Sequence, residues 1–205
     1  MEEKIKTAKT IGEACRNVGF FYLKNHGVSK QLTEDAMAQS KRYFALPLDV
    51  KMKQAVRGQP YDDGRGYSPI FVENFSDKKG DFKEIFDFSL EMKEDDPLIK
   101  QGGKLYGPNR WPELPGFREV LYDGYFSAMI ELARQLARAF ALALDLPEKY
   151  FDSLTEKPLT ETILIYYPPQ KLDKPLDPNS VGKYDIISFI SNLMSGSNII
   201  TQMEK

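Results

Sequence analysis

Apolar residues near the start of the chain recur at helical spacing. The stripe that they form, which charged side chains interrupt, consists of Ile5, Ala8, Ile11, Cys15 and Val18. This spacing predicts an amphipathic helix whose apolar side faces a core. Cys15 lies on the stripe, and small buried cysteines are common. Because neither a second cysteine nor a nearby histidine supports a reactive thiol, we expect Cys15 to pack in the core.

Further stripes predict more helices. Ser29 is a suitable N-cap for a second helix, which we expect to stop before Leu46-Pro47, and a third helix begins at Pro47. The longest stripe keeps one apolar side from Leu121 to Leu144. We interpret this segment as a scaffold helix packed against a sheet; the alternative is a face that binds a partner.

Other segments have the signatures of strands and loops. Residues 20–23 form a short aromatic run that suits a buried strand. Residues 85–90 alternate apolar and polar positions, which predicts a strand with one buried face. Residues 162–167 are apolar on both faces and predict an interior strand. Residues 184–194 are compatible with a strand or a helix, and the glycine- and proline-rich residues 58–69 predict a loop.

The numbers of histidines and cysteines limit the kinds of metal site and disulfide that the chain can form. The 205 residues include one histidine and one cysteine. A single cysteine excludes an internal disulfide framework and a cysteine-based zinc or iron–sulfur site held by this chain alone. A single histidine excludes any site that needs two imidazoles from one polypeptide. The formal net charge of -2 provides no basic surplus for unspecific binding to nucleic acid or to an anionic membrane.

Length and hydrophobicity indicate an ordinary globular protein. Hydrophobic residues make up 41% of the chain and charged residues 28%, so the chain can bury a core. At roughly 100–200 residues per domain, this length fits one domain, or one domain with a partial second. No apolar run reaches the roughly 18 residues of a transmembrane helix, and the first residues lack the apolar core of a signal peptide. We therefore expect a cytoplasmic protein.

Six segments, in order and spacing, follow the pattern of one known family. They are residues 19–28, residues 44–48 with Lys51, and residues 65–67, 86–88, 107–112 and 166–169. Together they resemble the non-haem Fe(II)/2-oxoglutarate-dependent dioxygenases of the isopenicillin N synthase-like group. The resemblance extends from about Ile5 to Pro169.

The resemblance implies a fold and a division of the chain. We expect an α/β (α+β) protein in which the N-terminal helices and strands of the isopenicillin N synthase-like fold precede an incomplete double-stranded β-helix, or jelly roll. Residues 1–115 would form the dioxygenase N-terminal region. Residues 116–205 would form the scaffold helix and the truncated start of the oxygenase barrel.

The family holds its iron with two histidines and one carboxylate, which leaves three coordination positions for 2-oxoglutarate and oxygen. Its His-x-Asp pair matches Lys183-Tyr184-Asp185, so lysine stands where the first histidine belongs. A protonated lysine has no lone pair for a metal. The chain ends at Lys205, before the family's distal histidine, and His26 matches a structural turn. The resemblance therefore implies no metal ligand, no catalytic residue and no cofactor for this chain, whereas complete members use Fe(II) and 2-oxoglutarate.

Three residues match positions that line the active site in relatives. Tyr167 matches a tyrosine that contacts co-substrate or substrate, which implies a cofactor-binding role; the alternative is a core aromatic on a buried strand. Arg65 and Tyr67 match a loop that lines the substrate in some relatives, which implies substrate binding; the alternative is a surface loop.

Three hypotheses about function follow. In the first, the chain descends from an oxygenase that oxidises a small molecule but is inactive alone. In the second, it is a truncated reading of an active oxygenase. In the third, it is a non-enzymatic fragment that binds a partner or itself through a barrel edge around Ile163, Ile165 and residues 186–194. We expect no nucleic-acid or membrane partner.

Overall fold

The computed structural model describes residues 2–56, 64–72, 80–100, 106–169, 189–192 and 198–201, the last two ranges as backbone only. Its helices are α1 (Glu2–Asn17), α2 (Lys30–Phe44), α3 (Leu48–Lys51), α4 (Pro97–Lys100) and α5 (Ser127–Ala143). Short 3-10 turns cover Met52–Gln54 and Ser153–Thr155, and a π-helical stretch, Glu119–Phe126, leads into α5. The strands are β1 (Gly66–Ser68), β2 (Glu84–Ser89), β3 (Glu161–Tyr166), β4 (Phe189–Asn192) and β5 (Asn198–Thr201).

The described strands form one antiparallel sheet in the order β1-β2-β3-β4-β5. Phe86 in β2 is paired with Tyr67 on one side and with Leu164 on the other. Because directly opposite residues share a face, these three side chains lie on the same face of the sheet. The interior strand predicted at residues 162–167 is confirmed as β3, which lies between β2 and β4. This mixture of helices and antiparallel sheet confirms the predicted α+β class.

The chain divides into two compact units. The first contains Met1–Ala36 and Glu119–Pro158. In it, α1 packs on α5 through Ala8, Ile11 and Gly12, which are buried. Gly12 permits this packing, since a Cβ at this position would lie 3.2 Å from the Cβ of Ala143. The predicted first helix is confirmed, and so is a helix in the long stripe, as α5 with the π-helical stretch before it. Its packing partner in this unit is the helix α1, and the predicted packing against a sheet stays a prediction.

The second unit contains Met37–Arg118 and Leu159–Lys205. Its core is aromatic: the ring of Tyr43 lies 4.7 Å from that of Phe86 and 5.1 Å from that of Phe117, and Phe88 lies 5.2 Å from Trp111. These rings cover one face of β2, and contacts between aromatic rings add to the burial of their large apolar surfaces. The boundary predicted between residues 115 and 116 comes from the family resemblance, which divides the chain into an N-terminal region and the start of a barrel. The two compact units do not test this division, and it stays a prediction.

The predicted N-cap of α2 is also confirmed. The backbone N–H of Leu32 donates to Ser29 Oγ at 3.1 Å, which satisfies one of the otherwise unpaired amides of the first helical turn. The third helix is shorter than its apolar stripe, because α3 ends at Lys51 and continues only as the 3-10 turn Met52–Gln54.

Two predictions about the first unit are wrong. Cys15 is exposed rather than packed in the core. Residues 20–23 follow α1 without strand pairing, and Phe20 and Tyr22 are exposed. The reason is the same in both cases: an apolar stripe becomes buried only where a second element covers it, and a strand needs a hydrogen-bonded neighbour.

Three predictions about the sheet need correction. Residues 66–68 form strand β1 rather than part of a loop. Strand β2 is buried on both faces, not on one. Ile165, which we expected to be exposed at a barrel edge, is buried, whereas Ile163 is half-buried. Of the segment predicted as strand or helix, residues 189–192 form β4, and the rest lies outside the described residues.

Among the residues that the structure describes, no helix is both long enough and apolar enough to cross a bilayer.

Candidate functional site

Strands β1 and β3, which flank β2, place the three predicted site residues. Arg65 immediately precedes β1, Tyr67 lies within it, and Tyr167 immediately follows β3. Tyr67 is on the face that the aromatic core covers. Alternation along β3 places Leu164 on that same face and assigns the position of Tyr167 to the opposite face. All three residues belong to the second unit.

Tyr67 is part of a buried charge cluster, which we define as Lys51, Glu84 and Tyr67. The Tyr67 hydroxyl donates to Glu84 Oε2 at 2.8 Å. The Lys51 ammonium donates to the same oxygen at 2.5 Å and to the Phe44 carbonyl at 3.1 Å. It also lies 5.3 Å from the centroid of the Tyr67 ring, which favours a cation–π interaction. The cluster ties α3 to β1 and β2.

Glu84 belongs to this cluster but is not among the residues predicted from the sequence. Its position in the strand pattern could have indicated its role. It has the same strand parity as Phe86 and Phe88, so alternation places its carboxylate on the apolar face. A carboxylate buried on such a face needs a cation and hydrogen bonds, because burial of an unpaired charge is costly. Lys51 supplies the positive charge. The sequence motif that contains Lys51 does not include its partner Glu84.

The tyrosines at this cluster stay protonated at neutral pH. The pKa of Tyr67 is raised well above its usual value of about 10, chiefly by burial and further by its hydrogen bond and proximity to Glu84. The pKa of Tyr43 is raised chiefly by burial, and also by the nearby Tyr67 and Glu84. Neither phenol can act as a base near neutral pH. The hydrogen bonds and the ion pair of the cluster anchor α3 to β1 and β2.

Arg65 is as deeply buried as Tyr67: the two residues are 2% and 1% exposed. The Arg65 guanidinium donates to the Gly107 carbonyl, and the Arg65 carbonyl accepts a hydrogen bond from the Arg110 guanidinium. These contacts tie the start of β1 to the Gly/Pro-rich segment that precedes Trp111. Neither contact tests the predicted substrate-binding role of Arg65 or Tyr67, which stays a prediction.

Asn109 fixes that segment against β2. Its side-chain amide donates to the Ser89 carbonyl at 2.8 Å and its side-chain oxygen accepts from the Ser89 N–H at 3.0 Å, so it pairs with the end of β2 as a neighbouring strand would. Trp111 Nε1 donates to Glu91 at 3.0 Å, and Arg118 forms an ion pair with the same carboxylate at 2.8 Å.

Tyr167 is half-buried, and its neighbour Tyr166 is held from two sides. The Phe44 ring stacks on Tyr166 with centroids 5.4 Å apart and an interplanar angle of 20°. In the sheet, Tyr166 lies directly opposite Glu84. These contacts fix the end of β3. They do not test whether Tyr167 contacts a cofactor, and that role stays a prediction.

The described residues do not fit an iron site. They include no group of three or more His, Cys, Asp or Glu side chains that could hold a metal ion. His26 is exposed, and its Nδ1 accepts a hydrogen bond from the Val28 N–H at 3.3 Å, which agrees with a turn residue. Lys183 and Asp185, the residues matched to the His-x-Asp pair, lie outside the described residues.

The helices, the antiparallel sheet and the aromatic core define an α+β protein. A family model described as the N-terminal region of the non-haem dioxygenases in morphine synthesis matches residues 2–114. Since this match covers more than half of the chain, the chain belongs to the non-haem Fe(II)/2-oxoglutarate dioxygenase family.

Individual relatives agree with this assignment. The chain is 37% identical over 151 residues to azadirone synthase LFS of Melia azedarach, with 71% of this chain and 43% of that protein covered. It is 33% identical over 175 residues to a 2-oxoglutarate-Fe(II) type oxidoreductase of Aspergillus fumigatus, with 82% and 51% covered. The chain thus spans about half the length of the relatives that it matches.

A solved structure agrees with the fold. The full-length T7H of Neurospora crassa, determined in complex with alpha-KG, superposes with a TM-score of 0.68 at 26% identity. The superposition covers 87% of this chain and 54% of T7H. The predicted fold class, helices followed by jelly-roll strands, is therefore confirmed.

Proposed function

We propose that the 205-residue chain belongs by descent to enzymes that oxidise a small molecule with Fe(II) and 2-oxoglutarate, and that it does not run this reaction by itself. The observation that carries the proposal is the single histidine, His26. A site with two histidines and one carboxylate needs two imidazoles, and His26 lies in a turn. The chain on its own then has no resident metal and no bound 2-oxoglutarate.

The test combines turnover with metal binding. Purified chain is supplied with Fe(II), 2-oxoglutarate and oxygen, and succinate is measured; binding of Mn(II), a redox-stable substitute for Fe(II), is followed by the loss of its free-ion EPR signal. We expect no succinate above the protein-free control and no stoichiometric Mn(II) binding. Succinate release that depends on added iron would overturn the proposal.

A matched pair of variants tests the proposed register of the His-x-Asp motif. The chain contains Lys183 and Asp185, and the same Lys-x-Asp spacing recurs at Lys171 and Asp173. We expect Lys183→His to increase Mn(II) binding, because the proposed register places the new imidazole and Asp185 at two of the family's three ligand positions, which Lys171 and Asp173 do not match. Lys171→His is the control and should leave Mn(II) binding unchanged. Equal effects of the two variants would contradict the register.

The second candidate is an active oxygenase of which these residues are a part. The coverage of relatives favours it, since the chain matches only 43% and 51% of two relatives' lengths. In that protein we propose that Tyr167 contacts the co-substrate and that Arg65 and Tyr67 contribute to the substrate site. Genomic sequence downstream of Ser180 decides between the candidates: a His-x-Asp pair and a later histidine there support the second.

The third candidate is a non-enzymatic role in which the chain binds another protein or itself. The barrel edge predicted for this role is not supported at Ile165, which is buried. Both units have exposed apolar side chains, and those of the first unit include Val18, Phe20 and Tyr22. We propose self-association through such a surface, in a cytoplasmic protein without nucleic-acid or membrane partners.

A further inference from the structure

The ammonium group of Lys51 joins the end of one helix to the start of one strand. Lys51 is buried, and its ammonium donates to the Phe44 carbonyl at 3.1 Å and to Glu84 Oε2 at 2.5 Å. Phe44 is the last residue of α2, and Glu84 is the first residue of β2. A carbonyl in the last turn of a helix has no partner within that helix, and a lysine is suited to bind it. One cation therefore satisfies two elements at once.

The two residues that Lys51 binds also flank Tyr166, at the end of β3. The Phe44 ring stacks on the Tyr166 ring, with centroids 5.4 Å apart and an interplanar angle of 20°. Glu84 lies directly opposite Tyr166 in the antiparallel pair of β2 and β3, where facing side chains have Cβ atoms roughly 4.5–5.5 Å apart. Tyr166 is thus held between two residues that the same ammonium binds.

Tyr167, the next residue, has little conformational freedom of its own. Pro168 follows it directly, and a residue before proline is biased toward extended conformations by the clash with the proline ring. Pro168 also has no N–H with which β3 could continue its pairing. Because consecutive side chains of an extended chain alternate between the two faces, the position of the Tyr167 side chain follows from how Tyr166 is held.

We infer that Lys51 is a positioning residue for Tyr167 and that it acts through Phe44, Glu84 and Tyr166. The inference rests on the proposed function, in which Tyr167 contacts the co-substrate of an oxygenase. A buried polar group with all its partners in place favours one arrangement of the elements that it joins, whereas apolar contacts permit several. The ion pair on the core face of the sheet thereby sets the position of a side chain on the opposite face.

A double variant removes this joint without leaving a buried charge unpaired. Lys51→Met/Glu84→Gln deletes both charges together, since the loss of one partner alone would leave the other buried and uncompensated. The new amide oxygen at position 84 can still accept a hydrogen bond from the Tyr67 hydroxyl, which now donates to the carboxylate. The variant therefore removes the link to the Phe44 carbonyl and preserves the rest of the cluster.

Two further variants complete the set. Lys4→Met/Glu148→Gln is the matched control, because it makes the same two changes in an ion pair of 2.7 Å at the surface of the first unit. Phe44→Leu removes the ring that stacks on Tyr166 and keeps the backbone carbonyl that Lys51 binds. Together they separate the loss of an ion pair in general from the loss of the contacts that hold Tyr166.

Fluorine NMR of the full chain, labelled with meta-fluorotyrosine, follows Tyr167 without replacing it. Spectra of Tyr166→Phe and Tyr167→Phe assign the two resonances. Two quantities are measured for Tyr167: its chemical shift, and the difference in that shift between light and heavy water, which grows as a ring becomes exposed. The second quantity reports on the position of the ring and does not depend on the charge of a distant group.

We expect both quantities to change for Tyr167 in Lys51→Met/Glu84→Gln and in Phe44→Leu, with a displacement of the resonance larger than its linewidth and a larger solvent difference. The surface control should leave Tyr167 unchanged. The resonance of Tyr125, which lies in the first unit, should stay in place in every variant.

An unchanged Tyr167 resonance in the folded double variant overturns the inference, even if the melting temperature falls, because a purely structural role lowers stability without moving Tyr167. An unchanged Tyr167 in Phe44→Leu overturns it as well, and this variant decides the case if the double variant does not fold. Failure of the proposed function has a different sign. In a complete oxygenase that contains these residues, Tyr167→Phe with an unaltered KM for 2-oxoglutarate would reject the co-substrate contact and leave the positioning of Tyr167 by Lys51 standing.

Discussion

Two tyrosines in the aromatic core, Tyr67 and Tyr43, differ in the hydrogen bonding of their hydroxyl groups, and this difference decides how each hydroxyl contributes to stability. The Tyr67 hydroxyl donates to the Glu84 carboxylate. The hydroxyl of Tyr43 is buried and has no hydrogen-bond partner within the described part of the chain. A buried hydroxyl bonded to a charged group stabilises the fold, whereas an unpaired one costs part of its solvation energy.

This difference predicts that replacement by phenylalanine destabilises the protein at Tyr67 but not at Tyr43. Tyr67→Phe should lower the free energy of unfolding by about 1.5–3 kcal/mol, because it removes a hydrogen bond to a buried carboxylate. Tyr43→Phe should change it by less than about 0.5 kcal/mol or raise it, because the lost hydroxyl has no partner to leave behind. Urea unfolding of both variants, with equal m-values, measures the two free energies. A large destabilisation by Tyr43→Phe would show that its hydroxyl is bonded, for instance to a buried water.

At the scale of elements, strand β1 depends on a close approach of backbones. Gly66 has a φ of 112°, and a Cβ at this position would lie 2.1 Å from the Gln54 carbonyl oxygen. One residue further along, the Tyr67 carbonyl accepts a hydrogen bond from the Val56 N–H at 3.0 Å. Only glycine therefore allows the 3-10 turn and β1 to lie side by side.

Gly66→Ala and Gly19→Ala form a matched pair. Both residues have a positive φ, but nothing lies within 4 Å of a Cβ at Gly19. Gly19→Ala should cost about 1–2 kcal/mol of stability, which is the conformational cost alone. Gly66→Ala should cost more than about 3 kcal/mol, since the same cost is joined by a backbone clash. Thermal unfolding of the two variants gives the comparison; similar melting temperatures would contradict the packing of β1 on the 3-10 turn.

One strand predicted from the sequence, residues 20–23, is absent because it has no neighbouring strand in the described part of the chain. Residues 20–23 and residues 162–167 have similar apolar runs, yet only the second segment forms a strand. β3 has a neighbour on each side, whereas the described residues provide none for the first segment. Strand formation depends on cross-strand hydrogen bonds, which a local pattern does not contain.

At the scale of the whole molecule, the buried tyrosines link stability to high pH. The chain has eleven tyrosines, and burial raises the pKa of Tyr43, Tyr67 and Tyr125. In the unfolded chain these phenols ionise at about pH 10. The folded state therefore holds its protons more tightly, and its stability is fully present below pH 10 and declines as the pH rises further.

Alkaline titration should accordingly occur in two phases. Phenolate absorbance should first report the accessible tyrosines near pH 10, and the remaining ones should ionise only together with the loss of circular dichroism. In the Tyr43→Phe/Tyr67→Phe variant, stability should fall less steeply with pH above 10, because fewer protons are released on unfolding. Ionisation of all tyrosines in one phase, with the fold retained, would contradict the burial of these phenols.

Only part of the candidate site could be predicted from the sequence. The motifs around Lys51, Tyr67 and Phe86 were recognised from order and spacing, and they identified the family. Their physical role was not visible, because the Lys51–Glu84 ion pair joins residues 33 positions apart. The fold places Tyr67 beside that ion pair, and the substrate role that the resemblance implies for it stays a prediction.

The resemblance to a known family implied the α+β class, and the residues themselves determined the helices α1, α2 and α5, the interior strand β3 and the presence of a single histidine. The properties that the residues determined follow from local periodicity, capping residues and composition, which need no knowledge of neighbours in space. Only the tertiary structure decided that Glu84 is buried against Lys51 and that Cys15, Phe20 and Tyr22 are exposed. A pattern of side chains shows which face of an element is apolar, but burial requires a second element on that face, and long-range folding supplies it.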